Sequence, residues 1–340
     1  MGILTLGIES SCDETACAVI EDGRIVRASM IASSADLQSQ YGGVVPELAS
    51  RMHVEAIVPC LQETMRQADV SYDDIDAVCV TKGPGLVGAL LVGVSAAKAI
   101  CEVKKKPLVG VNHMAGHIAA NYLTDPTWEP PFLCLVVSGG HSEILLVKDY
   151  DDLSLICATR DDAAGEAFDK IARVIGLGYP GGPKLDRESK NGDPHAFSFP
   201  SPRIVDSLDF SFSGIKTAAL NTINQVRSKG GEINVSDFAA SYQEAICSIL
   251  IDRLNQAIKL TGMKKICLAG GVSANSCLRK KIEELAHKTH ATLCLPKMSY
   301  CTDNAAMIAS AGYYEFMRGV RDELDMNAYP SLDWSESYGN

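Results

Sequence analysis

One order of elements occurs twice in this chain, and it restricts the fold more than any single motif does. Residues 3–9 alternate as a strand and break at Ser10-Ser11-Cys12-Asp13-Glu14-Thr15. A second strand, residues 16–20, turns at Glu21-Asp22-Gly23 into a third over residues 24–31. An Asp-Gly pair between apolar runs is a hairpin signal. Pro130-Pro131 marks a boundary, and the same order follows it. Residues 132–137 read as strand, Ser138-Gly139-Gly140-His141-Ser142 as turn and 143–147 as strand, with a turn at Asp149-Tyr150-Asp151-Asp152 and a further strand over 153–158.

The second half of each copy also matches. A helix is predicted from about residue 47 to 67, apolar at Leu48, Met52, Ile57, Leu61 and Met65. Residues 75–80 read as strand, Lys82-Gly83-Pro84-Gly85 as turn and 86–100 as a buried, small-residue helix. Residues 265–269 are again strand, followed by Gly270-Gly271-Val272-Ser273-Ala274-Asn275 and a long helix. The likeness is one of element order, not residue identity. A duplicated unit of this kind predicts an α/β, actin-like (ASKHA) fold of two lobes, with a nucleotide-binding cleft between the copies. The expected division is a first lobe over residues 1–130 and a second over 131–325, with a helical insertion at about 160–262 and a C-terminal tail over 326–340.

Composition removes several classes. The 46% hydrophobic and 21% charged fractions are ordinary for a soluble globular protein. No apolar run is long enough to span a bilayer, and residues 1–7 enter a strand pattern with no basic leader, so no membrane or targeting segment is expected. None of the 12 cysteines forms a Cys-x-x-Cys pair and most lie inside apolar runs, which predicts buried free thiols in a cytoplasmic protein. The net charge of −11 excludes a surface that grips nucleic acid as a whole. Such a contact would need a local patch, for example Lys104-Lys105-Lys106 or Arg279-Lys280-Lys281, or a partner.

The most demanding stretch chemically is Asn112-His113-Met114-Ala115-Gly116-His117, which follows a short apolar strand and opens a helix. Two histidines four apart share a helix face, so both imidazoles can reach one metal ion; a hydrogen-bonded pair at a helix start is the plainer alternative. Asp303, at the start of the last long helix, is either its capping residue or a carboxylate suited to be the third ligand. Ser138-Gly139-Gly140 can offer several backbone N–H groups to a phosphate, or be a simple hairpin turn. The acidic turn Ser10 to Thr15 would repel a bare phosphate and suits a place near a cation, an amine or a proton in transit, or a capping role. Gly270 to Asn275 resembles an adenosine-binding segment, because it lacks the Gly-Lys-Ser/Thr of a phosphate loop. Asp161 and Asp162 fit the start of a helix, where the dipole favours acids. Asp169 lies deeper and suits a ribose hydroxyl. Residues 176–183, rich in Gly and Pro, read as a binding loop leading to Asp186.

Together these segments resemble the TsaD family, also called Gcp or YgjD, with the archaeal and eukaryotic Kae proteins. The matching residues are Gly7-Ile8-Glu9-Ser10-Ser11-Cys12-Asp13-Glu14-Thr15, Pro46-Glu47 with Arg51-Met52-His53, and Thr81-Lys82-Gly83-Pro84-Gly85-Leu86. They continue through Asn112 to His117, Val136 to His141, Asp162 to Asp169, Gly178 to Pro183, Phe210-Ser211-Phe212-Ser213-Gly214-Ile215-Lys216-Thr217, Gly270 to Asn275 and Thr302-Asp303-Asn304. They run in order over nearly the whole chain. The departures, at Met114-Ala115, Ser142 and Pro183-Lys184-Leu185-Asp186, touch no expected ligand.

The resemblance implies an enzyme that transfers threonylcarbamoyl from threonylcarbamoyl-AMP to N6 of adenosine 37 in tRNAs reading ANN codons, forming t6A and releasing AMP. It implies one divalent ion, usually Fe2+, with Zn2+ or Mg2+ as alternatives, bound by His113, His117 and Asp303. Val136, Val137, Ser138, Gly139 and Gly140 would hold the phosphate and threonylcarbamoyl end; Asp169, Gly182, Asp186 and Asn275 would hold the ribose and adenine. It also implies two partners, the shorter paralogue TsaB and the ATPase TsaE. Asp13 is expected to accept the proton of the attacking amine. A phosphotransferase of the same fold would show an Asp-x-Gly phosphate pattern in the first turn, which is missing. A zinc protease would carry Glu after the first histidine, where this chain has Met114. A scaffold paralogue would lack the three metal residues.

Overall fold

A strand buried on both faces needs apolar residues almost throughout, and β1 (Leu4–Glu9), reading LTLGIE, is buried from end to end. Residues 2–201 and 207–334 are described in this computed structural model. β1 pairs antiparallel with β2 (Glu14–Glu21), and β2 with β3 (Ile25–Ser33). A short α1 (Ala35–Ser39) precedes α2 (Pro46–Ala68), which has proline in its first turn, where the missing N–H is not needed. Next come β4 (Ala77–Gly83), parallel to β1, then α3 (Val87–Lys104), β5 (Leu108–Asn112), parallel to β4, and α4 (His113–Thr124). The sheet order is β3-β2-β1-β4-β5.

The second sheet repeats this plan. β6 (Phe132–Val137) pairs antiparallel with β7 (Ser142–Val147), and β8 (Leu153–Ala158) forms the edge. Four helices follow: α5 (Ala164–Val174), α6 (Gly181–Ser189), α7 (Ser213–Ser228) and α8 (Val235–Thr261). Then β9 (Lys265–Ala269) lies parallel to β6, α9 (Ser276–Thr289) follows, and β10 (Thr292–Cys294) lies parallel to β9. The order β10-β9-β6-β7-β8 matches the first sheet element for element. The core of this unit joins the sheet to the helices through Phe168, Phe210, Phe212, Phe238 and Tyr242.

The chain divides into two compact units. One holds the chain up to Pro130, Asp149–Leu153 and everything described from Pro296 on; the other holds Pro131–Lys148 and Ser154–Leu295. The last helix, α10 (Ala305–Met317), therefore belongs with the first sheet, not with a second lobe running to residue 325. Small residues on both sides decide this. A Cβ on Gly7 of β1 would lie 2.8 Å from the Cβ of Ala309, and one on Gly116 of α4 would lie 2.6 Å from Cδ1 of Ile308. Only glycine lets α10 approach β1 and α4 this closely. The expected tail over 326–340 is not free either. Met326 and Ala328 are buried in the first unit's core, and the Tyr329 amide donates to the Lys82 carbonyl at 2.7 Å. Residues 335–340 lie outside the described residues.

All twelve cysteines are free thiols, and ten are buried. Asp161 does not serve its own helix: it accepts hydrogen bonds from the Phe212 and Ser213 amides and the Ser211 and Ser213 hydroxyls, capping α7. Asp162 pairs with Lys170 and Lys216. Among the described residues, no helix is long and apolar enough to cross a membrane.

Candidate active site

β5 runs into α4 without a loop. Asn112 ends the strand and caps the helix, its Oδ1 accepting from the Met114 amide at 2.8 Å. His113 is thus the first helical residue, and His117 lies one turn on. Their rings meet edge-on with centroids 4.7 Å apart. At the head of α10 the cap is Asn304, whose side chain accepts from the Met307 amide. Asp303, one residue earlier, is released from capping. Its Oδ1 lies 3.4 Å from His113 Nε2 and 3.3 Å from His117 Nε2. One potential ligand atom from each of the three lies within 4.8 Å of the others. The side chains are 11%, 1% and 21% exposed respectively, so the cluster opens to solvent on the Asp303 side.

A fourth ionisable group, given no role by the sequence, completes this arrangement. Glu9 ends β1 and is fully buried. One carboxylate oxygen accepts from the Ser11 amide at 2.5 Å; the other accepts from the Thr81 hydroxyl at 2.6 Å and lies 3.0 Å from His113 Nδ1. The available signal was a carboxylate in a strand otherwise apolar enough to be buried on both faces, since a buried charge needs partners.

Burial alone would raise the pKa of Glu9, but His113, by charge and hydrogen bond, and Thr81 outweigh it and lower it. Burial likewise opposes ionisation of Asp303, and the two imidazoles overcome it, holding the carboxyl well below the usual carboxylate range. Burial disfavours a charged His113, yet Asp303 and Glu9 on its two nitrogens raise it well above the ordinary histidine value. His117 is lowered by burial, to which the charge on His113 adds. Two carboxylates and one imidazolium leave a surplus negative charge in a buried place. A divalent ion taking the place of the His113 proton would bring the cluster to neutrality. Two imidazoles and one carboxylate also form a donor set suited to Fe2+ or Zn2+. The residues fit a metal.

The acidic turn belongs to the same unit. Ser11 Oγ lies 3.3 Å from His113 Nδ1. His53, buried on α2, holds the turn from the other side, with Nδ1 2.7 Å from the Thr15 hydroxyl and Nε2 3.0 Å from the Cys12 carbonyl. The Asp13 carbonyl accepts from the Ser34 amide and hydroxyl. Burial, a hydrogen bond to the Asp13 side chain and the Asp303 charge push Glu14 up to about 10. Glu14 is therefore held toward its neutral form beside Asp13.

The residues predicted for the nucleotide all lie in the second unit, joined through successive contacts. Val136 and Val137 are fully buried in β6, so only their backbone is available to a ligand. The next turn is closed by the Ser138 amide donating to the His141 carbonyl at 2.8 Å, and a Cβ on Gly139 or Gly140 would meet nothing within 4 Å. The head of α5 packs against this turn: a Cβ on Gly165 would lie 2.5 Å from the Ser138 carbonyl oxygen. Further along α5, Asp169 accepts from the Gly181 and Gly182 amides at the start of α6, and its burial raises its pKa. Asp186 on α6 accepts from the Ser276 amide and hydroxyl. Asn275 caps α9 through the Leu278 amide and donates to Gln243 at 2.7 Å. A groove of about 500 Å³ lies beside these, lined by Ser189, Gln243, Glu244, Ser276, Cys277 and Lys281.

Comparison with known proteins shows the family and the fold. The family model TsaD, tRNA N6-adenosine threonylcarbamoyltransferase, matches residues 25–310. The enzyme of that name from Clostridium novyi (strain NT) is 52% identical over 336 residues, covering 98% of both chains. That from Clostridium botulinum (strain 657 / Type Ba4) is 52% identical over 332 residues, covering 97% of this chain and 98% of its own. Among solved structures, HypF of T. kodakarensis superposes with a TM-score of 0.64 at 14% identity, over 93% of this chain and 48% of that one. Component A of the Acidaminococcus fermentans (R)-2-hydroxyglutaryl-CoA dehydratase gives 0.52 at 15% identity, over 92% and 98%. These distant likenesses establish the ASKHA fold. The extended identity with the named transferases establishes more: this chain belongs to the TsaD family, the tRNA N6-adenosine threonylcarbamoyltransferases, and is a transferase that forms t6A.

Proposed function

We propose that the donor is threonylcarbamoyl-AMP and the acceptor N6 of adenosine 37 in tRNAs reading ANN codons, with AMP released. The observation that best supports this is the meeting of His113, His117 and Asp303 beside an acidic turn in which one carboxyl is held neutral. The N6 amine attacks the carbamoyl carbon, a C–N bond forms, and the C–O bond to phosphate breaks as AMP leaves. The exocyclic amine of adenine is a poor nucleophile, so orientation must supply much of the rate. Asp13 accepts the amine proton; Glu14, neutral and bonded to it, orients that carboxylate without adding charge. Gly139 and Gly140 present N–H groups to the donor phosphate at the turn that the Ser138 amide closes, where the open space beside both glycines admits an oxygen at backbone distance. Asp169 and Asp186 keep acceptor capacity for ribose hydroxyls, Gly182 lets backbone approach the sugar, and Asn275, next to Ser276 of the groove wall, stands on the adenine side. His113, His117 and Asp303 would hold a divalent ion, proposed as Fe2+ with Zn2+ or Mg2+ as alternatives, which would supply Lewis acidity to the transfer.

The proposal includes a TsaB paralogue and the TsaE ATPase as partners, and a cytoplasmic setting. The net charge of −11 supports a need for help in holding tRNA. The test combines the protein with synthetic threonylcarbamoyl-AMP, an ANN-decoding tRNA, TsaB and TsaE, then digests the tRNA and weighs the nucleosides. Product that disappears when this chain is omitted supports the reading. No product from metal-loaded protein with active partners overturns the donor assignment.

A further inference from the structure

We propose that Glu9 is a positioning residue of the metal centre, which sets the tautomer of His113 and so keeps its Nε2 lone pair available to the ion. The inference rests on the metal reading of His113, His117 and Asp303. Its basis is the hydrogen bonding around one buried carboxylate. Two of the neighbours of Glu9 donate, the Ser11 amide and the Thr81 hydroxyl. They fix the carboxylate plane and leave Oε2 3.0 Å from His113 Nδ1. With a donor already on each of its oxygens, the Glu9 side chain acts as acceptor, so in this pair Nδ1 carries the hydrogen. A neutral imidazole protonated at Nδ1 has its lone pair on Nε2, the nitrogen that faces Asp303. A carboxylate behind a ligating histidine fixes the ring and raises its basicity. His117 has no such support: its Nδ1 has no partner among the described residues. The tautomer of this pair of ligands is therefore controlled at His113 and from Glu9.

The same geometry shows what an amide would do. Glu9→Gln keeps the shape but has one acceptor where three donors converge. With its NH2 toward His113, it donates to Nδ1, moves the ring proton to Nε2 and blocks the ligand lone pair. With its NH2 toward Ser11, it opposes one donor with another. Either orientation weakens the centre.

The experiment measures Co2+ affinity by chelator competition on the full chain, with the cobalt absorption bands as a second readout. Proteins compared are wild type, Glu9→Gln, His113→Ala and the double variant. The expected loss for Glu9→Gln is about 10–100-fold, with altered cobalt bands and far-UV circular dichroism unchanged. In the His113→Ala background the same change is expected to weaken binding no further, because the ring it acts on is gone. Equal affinity of Glu9→Gln and wild type overturns the inference, as does an equal loss in both backgrounds, which would mean Glu9 acts through the fold. A wild type that binds no Co2+ overturns the metal reading itself, a distinct result. If Glu9→Gln fails to fold, Thr81→Val tests the same point, since it removes one anchor of the carboxylate and leaves its charge. A several-fold loss of affinity is expected there; none refutes the proposal.

Discussion

Gly7→Ala tests whether remote packing holds the metal cluster together. Gly7 lies in β1, where α10 crosses it. An added Cβ would lie 2.8 Å from both the Cβ and the amide nitrogen of Ala309, and closer still to the Ala305 carbonyl oxygen. Non-bonded carbons settle at about 3.5–4.0 Å. The obstacles are mainly backbone atoms, so no side chain can rotate away, and the head of α10 must withdraw by about 1 Å. Overpacking of this kind costs about 1–3 kcal/mol of stability. Ala305 is two residues from Asp303, so the withdrawal moves the carboxylate away from His113 and His117. Misplacement by about 1 Å can lower a rate by about 100-fold. The control is Gly312→Ala on the same helix, whose Cβ would press on Cys79 about two turns further along. Both variants should lose stability in chemical denaturation, but only Gly7→Ala should lose Co2+ affinity and transfer activity. Wild-type Co2+ affinity in Gly7→Ala, or an equal loss in Gly312→Ala, would refute the argument that Asp303 is set by the β1–α10 contact.

Three further outcomes are expected. The double variant His113→Ala, His117→Ala should lose transfer and leave the circular dichroism spectrum intact; full transfer in metal-free buffer would end the metal reading. Glu14 has a folded pKa of about 10, above its ordinary 4.5, so in the metal-free protein its contribution is complete below about pH 4.5 and is lost as pH rises toward 10. Glu14→Gln, which imitates the protonated acid, should flatten the fall in stability over that window, and an unchanged slope in denaturation from pH 5 to 9 would show that Glu14 ionises normally. Asp161→Ala removes the cap of α7 and should cost about 1–2 kcal/mol, read as a lower denaturation midpoint with transfer chemistry retained; a midpoint equal to wild type would dismiss the capping role.

Local patterns were legible in the sequence where one element alone carries the information. The spacing of His113 and His117 on one helix face is such a case, as is the twofold strand order, because hairpin turns and apolar periods are local signals. β10 and α1 escaped because three and five residues give too little periodicity. The placement of α10 escaped for another reason. Its apolar, alanine-rich surface would suit any sheet, and the choice of β1 is made by glycines in other elements, Gly7 and Gly116, whose meaning emerges only when the helices are in place.

The site shows the same division between type and pairing. Asp303 was recognisable as an acid before a buried helix, but that made it either a cap or a ligand. The decision falls on Asn304, which takes the Met307 amide and so releases Asp303 toward the imidazoles. Asn275 shows allocation of another kind: its side chain accepts from the Leu278 amide and donates to Gln243 within the protein. Donor and acceptor capacity can be read from a residue's name, whereas its allocation depends on which neighbours arrive first. Glu9 gathers both points. Its sequence neighbours mark it as buried, burial demands donors, and the donors that answer are Ser11 beside it, Thr81 on β4 and His113 at the head of α4. A carboxylate at that crossing ties the central strand, the acidic turn and a metal ligand together, so a change in any one of them should be read at the other two.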